Sequence, residues 1–345
     1  MLKEGTFIVA EISANHGHDI NIVKKSIARA KEIGCDAVKI QTYTADTITL
    51  QCSNEYFQID TGTIWDGVTL YDLYKEASLP WSWHQELFDY ARETGIMLFS
   101  TPFDFSAVDL LQECGNPVYK IASFEINDIP LIKYAAEKKK PMIISAGIAT
   151  QDEIRAAIEA CRSVGNDDIY MLKCTSQYPA KIEDANLLTM VDMKERFGVE
   201  VGLSDHTEGI EVAAAAVALG ARVVEKHFIF DRKIGGPDSS FSMEPDEFAE
   251  MVARIRLVEK ALGKVDYSLS EAKMASRKYA RSLFVCRDVK KGDLISAENI
   301  RSIRPSDGLA PKYYEEVLGK RFSRDVSFGQ PLSAEMIDGF EVSDK

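Results

Sequence analysis

Residues 201–227, VGLSDHTEGIEVAAAAVALGARVVEKH, hold a complete strand-helix-strand unit. The run 201–204 is short, apolar and bounded by polar residues. The stretch 209–219 is rich in Ala and Val at helical spacing and is closed by Gly220, a residue suited to the left-handed turn that ends a helix. A second β-type run follows at 223–227. Both runs finish on chemistry-bearing side chains, Ser204, Asp205 and His206 in the first and Glu225, Lys226 and His227 in the second. Two parallel strands joined by a helix put both endings on the same side of a sheet.

The same rhythm extends outward over residues 5–262. β-type runs are read at 7–11, 37–41, 97–100, 118–121, 142–145, 169–173, 201–204 and 223–227, with helical stretches between them such as 21–33, 83–94, 151–164 and 209–219. Gly34, Gly95, Gly165 and Gly220 stand at helix ends. Eight strands alternating with helices predict a (β/α)8 TIM barrel. An open doubly wound sheet is the rival, but no GxGxxG follows the first run. The segment 42–80, with its polar, aromatic-bearing QCSNEYFQIDTGTIWDG, is too long for an ordinary strand-helix connection and is expected to lie over the barrel mouth.

After Gly263 the pattern changes. A polar linker, 264–280, contains SLSEAKMASRKYA and leads into a β-rich module at 281–345. Within that module GDLISAENI (292–300) returns as GQPLSAEMI (329–337), which predicts an internally pseudo-symmetric fold. The expected organisation is therefore a barrel at 1–263, a linker at 264–280 and a small domain at 281–345.

Composition narrows the function classes. The chain has 345 residues and a net charge of −13, while residues from Arg281 onward carry 11 basic and 11 acidic groups, so the negative charge belongs to the barrel. That balance argues against nucleic acid or an anionic membrane as partner, and a neutral module is able to dock on an acidic barrel of its own or a neighbouring subunit. No stretch reaches the ~20 apolar residues of a membrane helix, and the start MLKEGTFIVAEIS lacks a signal-peptide pattern, so a cytoplasmic protein is expected. Six cysteines without a CxxC pair are expected to be reduced thiols.

In a TIM barrel, polar residues at the C-terminal ends of the strands converge on one face. Here they are Glu11 (with Asn15 and His16 beyond), Lys39 and Gln41, Ser100 and Thr101, Lys120 and Ser123, Ser145, the CTSQYP segment, and the two endings already described. A lysine inside a barrel needs a counter-charge, because an unpaired buried ammonium costs several kcal/mol. Lys39 and Lys120, with Ser123, Ser145, Ser204 and backbone amides near Gly147, suit a phosphate; the alternative is pairing with Glu11 or Glu225. His206 and His227 end consecutive strands and suit two positions of an open divalent-metal site. His16 is a third candidate ligand, and His84, on a helix, reads as structural.

AEISANH, VKIQTY, STPFD, YKIAS, ISAG, CTSQYP, GLSDHT and VEKHF resemble the sialic acid synthase family at all eight strand ends, and the C-terminal module resembles its SAF-type, antifreeze-like (β-clip) domain. SANH and TLYDLYKEA resemble the pseudaminic acid branch. The resemblance implies condensation of phosphoenolpyruvate with an open-chain amino sugar, 2,4-diacetamido-2,4,6-trideoxy-L-altrose for this branch, with release of phosphate and use of a divalent metal (Mn2+, Mg2+ or Co2+). It implies that Lys39, Thr101, Lys120, Ser123, Ser145, Ser176 and Ser204 hold phosphoenolpyruvate, although family members commonly carry Asn where Ser176 stands. It further implies that Glu11, Gln41, Tyr178, Glu225 and Asp238 face the sugar or the reacting water, and that Glu11, Lys39, Lys120, His206 and His227 are the catalytic set. Arg304, in RPSDG, is implied to reach the site from the small domain of the other subunit in a domain-swapped homodimer. The remaining alternatives are a synthase of N-acetylneuraminate or legionaminate, an enzyme making 3-deoxy-sugar acids, and a non-catalytic sugar- or ice-binding protein.

Overall fold

The computed structural model describes residues 5–60, 62 and 65–342. Residues 1–4, Thr61, Thr63, Ile64 and 343–345 lie outside the described residues, and with them the first residues of the chain, part of the 42–80 insertion and the last residues of the C-terminal module. The chain divides into two units, Met1–Gly263 and Lys264–Lys345.

Eight strands of the first unit close into a parallel barrel in sequence order: β1 Phe7–Glu11, β2 Ala37–Thr42, β3 Met97–Pro102, β4 Tyr119–Ile121, β5 Met142–Ser145, β6 Ile169–Cys174, β7 Glu200–Asp205 and β8 Val223–His227. Closure is made by β8 pairing with β1, Glu11 opposite His227. The fold is the TIM barrel expected from the alternation. β4 is shorter than its apolar run by Val118, and β2, β3, β6 and β7 run on to Thr42, Pro102, Cys174 and Asp205, because ladder pairing persists into the polar endings.

The helices are α1 Ile20–Ile33, α2 Ala45–Ile48, α3 Leu70–Ala77, α4 His84–Thr94, α5 Phe105–Glu113, α6 Ile129–Glu137, α7 Gln151–Ser163, α8 Leu188–Phe197, α9 Glu211–Ala218 and α10 Pro245–Leu262. Local sequence sets their ends. Asp19 caps α1 by accepting from Asn21 N–H, and Thr150 with Glu153 forms a reciprocal capping box on α7. Gly34 and Gly95 end α1 and α4 at left-handed φ values of 94° and 74°.

Strand alternation separates two cores. Phe7, Val9, Ala37, Phe99, Val118, Ile143, Tyr170, Leu172 and Val223 fill the barrel interior. The opposite faces, including Ile8, Val38, Leu98, Ile144, Met171 and Val224, belong to the larger core shared with the helices. Gly202 occupies an inward position where an added Cβ would stand 2.4 Å from the Val223 carbonyl oxygen, so neighbouring strands approach too closely there for any side chain. Parity then dictates the site: continuing inward positions toward the strand ends gives Glu11, Lys39, Gln41, Lys120, Ser145, Cys174, Ser204, His206, Glu225 and His227.

The insertion lies at the barrel mouth, as its length predicts. It contains α2 and α3, and Trp65 Nε1 donates to the Pro237 carbonyl at 3.2 Å.

The second unit contains α11 Glu271–Arg277, the antiparallel pair β9 Ser282–Val285 and β10 Ile300–Ile303, and α12 Tyr314–Val317. Its sequence repeat has a packing meaning. Ile295 and Leu332 hold matching positions in the two copies, as do Ile300 and Ile337, and all four are buried in one core with Leu283, Val285, Val317 and Phe322. Gly292 and Gly329, which open the copies, both have positive φ, 91° and 81°.

Candidate active site

A small cavity of about 50 Å³ opens at the C-terminal ends of the strands, lined by the inward residues just named together with Ala122, Ser123 and Tyr178. Its floor is a chain of buried charges. Lys39 Nζ lies 2.7 Å from Glu11 Oε2 and 3.8 Å from Glu225 Oε1, and Lys120 Nζ lies 2.9 Å from Glu225 Oε1. Both lysines lie beside the two barrel carboxylates that the sequence offered as partners. Lys39 also donates to Thr101 Oγ1 (3.1 Å), Gln41 Nε2 to Glu11 Oε1 (3.2 Å) and Ser204 Oγ to Glu225 Oε1 (3.3 Å).

The four charges do not share the burden equally. Burial pushes the Glu11 carboxyl up to about 7, against the pull of Lys39 and with Glu225 adding to the rise. Burial also opposes ionisation of Glu225, but Lys120 and Lys39 outweigh it and hold its carboxyl below the ordinary value. Lys120 is lowered by burial, and Lys39 is raised because Glu11 and Glu225 overcome the same penalty. Two carboxylates against two ammoniums leave a floor near neutrality, able to accept an anion without stacking like charges.

Beside this floor is a group of hydroxyls. Ser123 Oγ and Ser176 Oγ are 2.8 Å apart, and Ser145 Oγ is buried with no hydrogen-bond partner. Ser123 and Ser176 crowd against Gly147, where a Cβ would fall 2.2 Å from Ser176 Oγ and 2.6 Å from Ser123 Oγ. The glycine is what lets these hydroxyls reach the backbone there, and an orphaned buried Oγ is a donor waiting for a ligand oxygen.

His206 and His227 face each other across the mouth, ring centroids 5.3 Å apart. His206 Nδ1 donates to the Thr175 carbonyl at 2.9 Å, which leaves the Nε2 lone pair free. His227 Nδ1 is buried without a hydrogen-bond partner, and Asp238 Oδ2 lies 3.9 Å from it. Burial, reinforced by His206 and the nearby lysines, holds the His227 imidazole well below its ordinary value and therefore neutral. Burial also opposes protonation of His206, but contact with Cys174 and the Thr175 carbonyl outweighs it and raises the ring. Asp238 is raised by burial and accepts from Ala14 N–H at 3.2 Å. Among the described residues no group of three His, Cys, Asp or Glu side chains is placed to hold a metal ion, and His206 and His227 face each other with His227 Nδ1 unpartnered.

His16 is not part of this pair. Its Nδ1 accepts from His18 N–H and its Nε2 donates to the Ala77 carbonyl, so no lone pair remains for an ion. His84 is structural as read: it contacts Thr42 Oγ1 and the Pro80 carbonyl, and burial lowers it to about 4. Arg304 is exposed in the second unit just past β10, where it lines a surface recess with Lys273 and Arg277.

Sequence reasoning missed an aromatic wall. The Tyr178 ring sits 4.4 Å from His206, 5.6 Å from Trp65 and 5.3 Å from Phe241, and Phe241 lies 5.0 Å from His227. Phe241 follows β8 in an irregular segment that carries no periodic signal. Cys174 was visible in CTSQYP, but its place on the cavity wall, 3.7 Å from Ser176 Oγ, follows only from strand parity.

Comparison with known proteins agrees with this arrangement. The NeuB family model matches residues 26–267 and the SAF domain model residues 280–338. A pseudaminic acid synthase of Campylobacter jejuni is 48% identical over 326 residues, covering 94% of this chain and 95% of that protein. An N,N'-diacetyllegionaminic acid synthase of the same organism is 38% identical over 319 residues, 91% of this chain and 95% of that protein. The crystal structure of an N-acetylneuraminic acid synthetase of Leptospira borgpetersenii, in complex with citrate, superposes with a TM-score of 0.71 at 30% identity, covering 79% of this chain and 90% of that one. With the closed barrel, its charged floor and histidine pair, and the appended SAF module, the chain belongs to the NeuB family.

Proposed function

We propose that this chain is a pseudaminic acid synthase, condensing phosphoenolpyruvate with 2,4-diacetamido-2,4,6-trideoxy-L-altrose and water to give pseudaminic acid and phosphate. The observation that carries the reading is one cavity holding both a near-neutral lysine-carboxylate floor with the unpartnered Ser145 hydroxyl, suited to a phosphorylated acid, and a histidine pair, suited to a carbonyl. The 48% identity to a synthase of that name, against 38% for the legionaminic enzyme, supports this sugar over its sister.

In this reading Lys39 and Lys120 hold the anionic groups of phosphoenolpyruvate, with Thr101, Ser123, Ser145, Ser176 and Ser204 donating to its oxygens. Gln41, Tyr178, Glu225 and Asp238 position the sugar. A divalent metal (Mn2+, Mg2+ or Co2+) held by His206 and His227 would supply Lewis-acid polarisation of the sugar aldehyde. Enolpyruvyl C3 attacks the aldehyde carbon, water adds to the cationic C2, and the C2–O bond to phosphate breaks. Glu11, poised near neutrality, takes one proton from the water and passes it to the new alkoxide oxygen; the second proton leaves with phosphate as the ketone forms. We assign the enzyme to the cytoplasm, a setting that suits six free cysteines; no helix among the described residues is long and apolar enough to cross a membrane.

Phosphate release measured with a panel of sugars tests the substrate. 2,4-Diacetamido-2,4,6-trideoxy-L-altrose should turn over fastest, and because an apolar pocket rejects an added hydroxyl by only ~10²-fold, selectivity should rest mainly on the 4-acetamido group and the ring stereochemistry. Faster turnover of N-acetylmannosamine, or of the legionaminic precursor, would overturn the choice.

The active form is proposed to be a homodimer in which Arg304 of one subunit completes the site of the other. Support comes from the stretch after Gly263: within this polar linker Val265 and Tyr267 are 87% and 93% exposed, and Leu269, Met274 and Tyr279 are exposed as well, scattered apolar side chains that a partner would cover. Mixing the inactive variants His227→Ala and Arg304→Ala under subunit exchange should restore part of the activity, since a mixed dimer then has one intact site. Proven exchange without recovery would exclude the role of Arg304 in trans.

A further inference from the structure

Asp205 and Lys226 form a buried ion pair that the cavity does not use. They are register partners on β7 and β8, each 2% exposed, with Lys226 Nζ 2.7 Å from Asp205 Oδ2. Strand parity turns them away from the barrel interior, and neither lines the cavity. Each immediately adjoins one of the facing histidines, Asp205 before His206 and Lys226 before His227.

The pair holds more than itself. Asp205 Oδ1 accepts from Thr207 N–H at 3.0 Å and from Thr207 Oγ1 at 2.7 Å, so it bridges over His206. Lys226 Nζ donates to the Thr207 carbonyl as well as to Asp205. Ala180 N–H donates to the His206 carbonyl at 2.9 Å from the other side. The backbone on both sides of His206 is thereby fastened to the residue that precedes His227.

Stability alone does not call for this device. Desolvating two charges costs several kcal/mol each, and replacing such a pair by uncharged groups of similar volume is often neutral or stabilising. Geometry at the histidines does call for it, because two imidazole nitrogens sharing one ion must each come within about 2.1 Å of it. A shift of less than an ångström at either strand end would pull one nitrogen out of reach.

We infer that Asp205 and Lys226 are positioning residues that set the separation and facing of His206 and His227, and through them the affinity of the pair for a divalent ion. The inference rests on the metal reading of the two histidines. It assigns to a charge pair outside the barrel wall the task that second-layer carboxylates perform at metal sites when they hold a ligand in place.

The test measures Mn2+ binding without substrates, by the electron paramagnetic resonance of the free ion, alongside thermal unfolding and calorimetric phosphoenolpyruvate binding. The wild-type protein is compared with the double variant Asp205→Asn/Lys226→Met, which removes both charges and leaves neither partner stranded. The double variant should unfold cooperatively near the wild-type temperature and bind phosphoenolpyruvate within about threefold of wild type. Its Mn2+ dissociation constant should rise about 10–100-fold, and kcat should recover at high Mn2+. Thr207→Val keeps both charges and removes one hydrogen bond of the clamp; it should weaken Mn2+ binding by less and gives the answer if the double variant does not fold. Mn2+ affinity equal to wild type in a folded double variant, or in Thr207→Val where that variant decides, overturns the inference while leaving the metal reading intact. Absence of Mn2+ binding by the wild-type protein overturns the metal reading and the inference with it.

Discussion

Replacing His227 by alanine should lower kcat by about 10³-fold while the barrel remains folded. The expected loss corresponds to about 4 kcal/mol of transition-state stabilisation, the scale on which removal of one electrostatic catalytic element registers. Folding should survive because His227 Nδ1 has no hydrogen-bond partner to strand, and its ring contacts Tyr178, His206 and Phe241 at a rim rather than inside the packed core. The loss of packing should cost only about 1–2 kcal/mol of stability. His206→Ala should lose activity to a similar extent, with a further small stability cost from freeing the Thr175 carbonyl. Chelation of the wild-type enzyme should abolish turnover, and added Mn2+ or Mg2+ should restore it; neither variant should respond to added metal. Activity of the wild-type protein that persists unchanged in excess EDTA would remove the metal from the reaction.

Lys120→Met should weaken phosphoenolpyruvate binding by about 10²–10³-fold, and it should also destabilise the protein. The first effect is the loss of a charge-assisted contact to the substrate. The second arises because Glu225 loses the cation 2.9 Å from its carboxylate, and breaking one side of a buried pair costs about 3–5 kcal/mol. Adding Glu225→Gln to the same protein should recover most of the stability but none of the phosphoenolpyruvate affinity, which separates the two roles. The pH dependence has a definite sign. Lys120 and Lys39 hold the Glu225 carboxyl below its ordinary value of 4.5, so their contribution is present above that pH and is lost as pH falls through the folded-state value. The stability gap between wild type and Lys120→Met, measured by urea unfolding, should therefore be widest near neutrality and narrow below pH 4.5. A gap independent of pH would mean that Glu225 is not the group Lys120 compensates, and unchanged phosphoenolpyruvate affinity would remove Lys120 from the substrate site.

The barrel was legible because its information is local. Val201 to His227 carries a strand, a helix, a glycine stop and a strand in fixed order, and the same spacing repeats around the ring. The polar residues at the strand ends were legible as a set for the same reason, although Ser100, Asp205 and Lys226 stand among them in sequence and strand parity turns these three away from the interior. The 292–300 and 329–337 repeat likewise announced a module whose matching apolar positions share one core.

Pairings among those residues are not local, and the sequence left them open. Lys120 on β4 and Glu225 on β8 stand on opposite sides of the ring, so only closure of the barrel makes them partners, and only closure decides that Lys39 goes chiefly to Glu11. His16, the third candidate ligand in sequence, is withdrawn because the insertion brings the Ala77 carbonyl to its Nε2. Trp65 and Phe241, far apart in the chain and outside any periodic element, meet at Tyr178 for the same reason. By itself the sequence determined the order of strands and helices and which strand ends carry polar groups, because both follow from local periodicity. Tertiary structure alone decided which charges neutralise each other and which imidazole nitrogens stay free, because electrostatic and hydrogen-bond partners depend on distances across the closed ring, which no single stretch of the chain encodes.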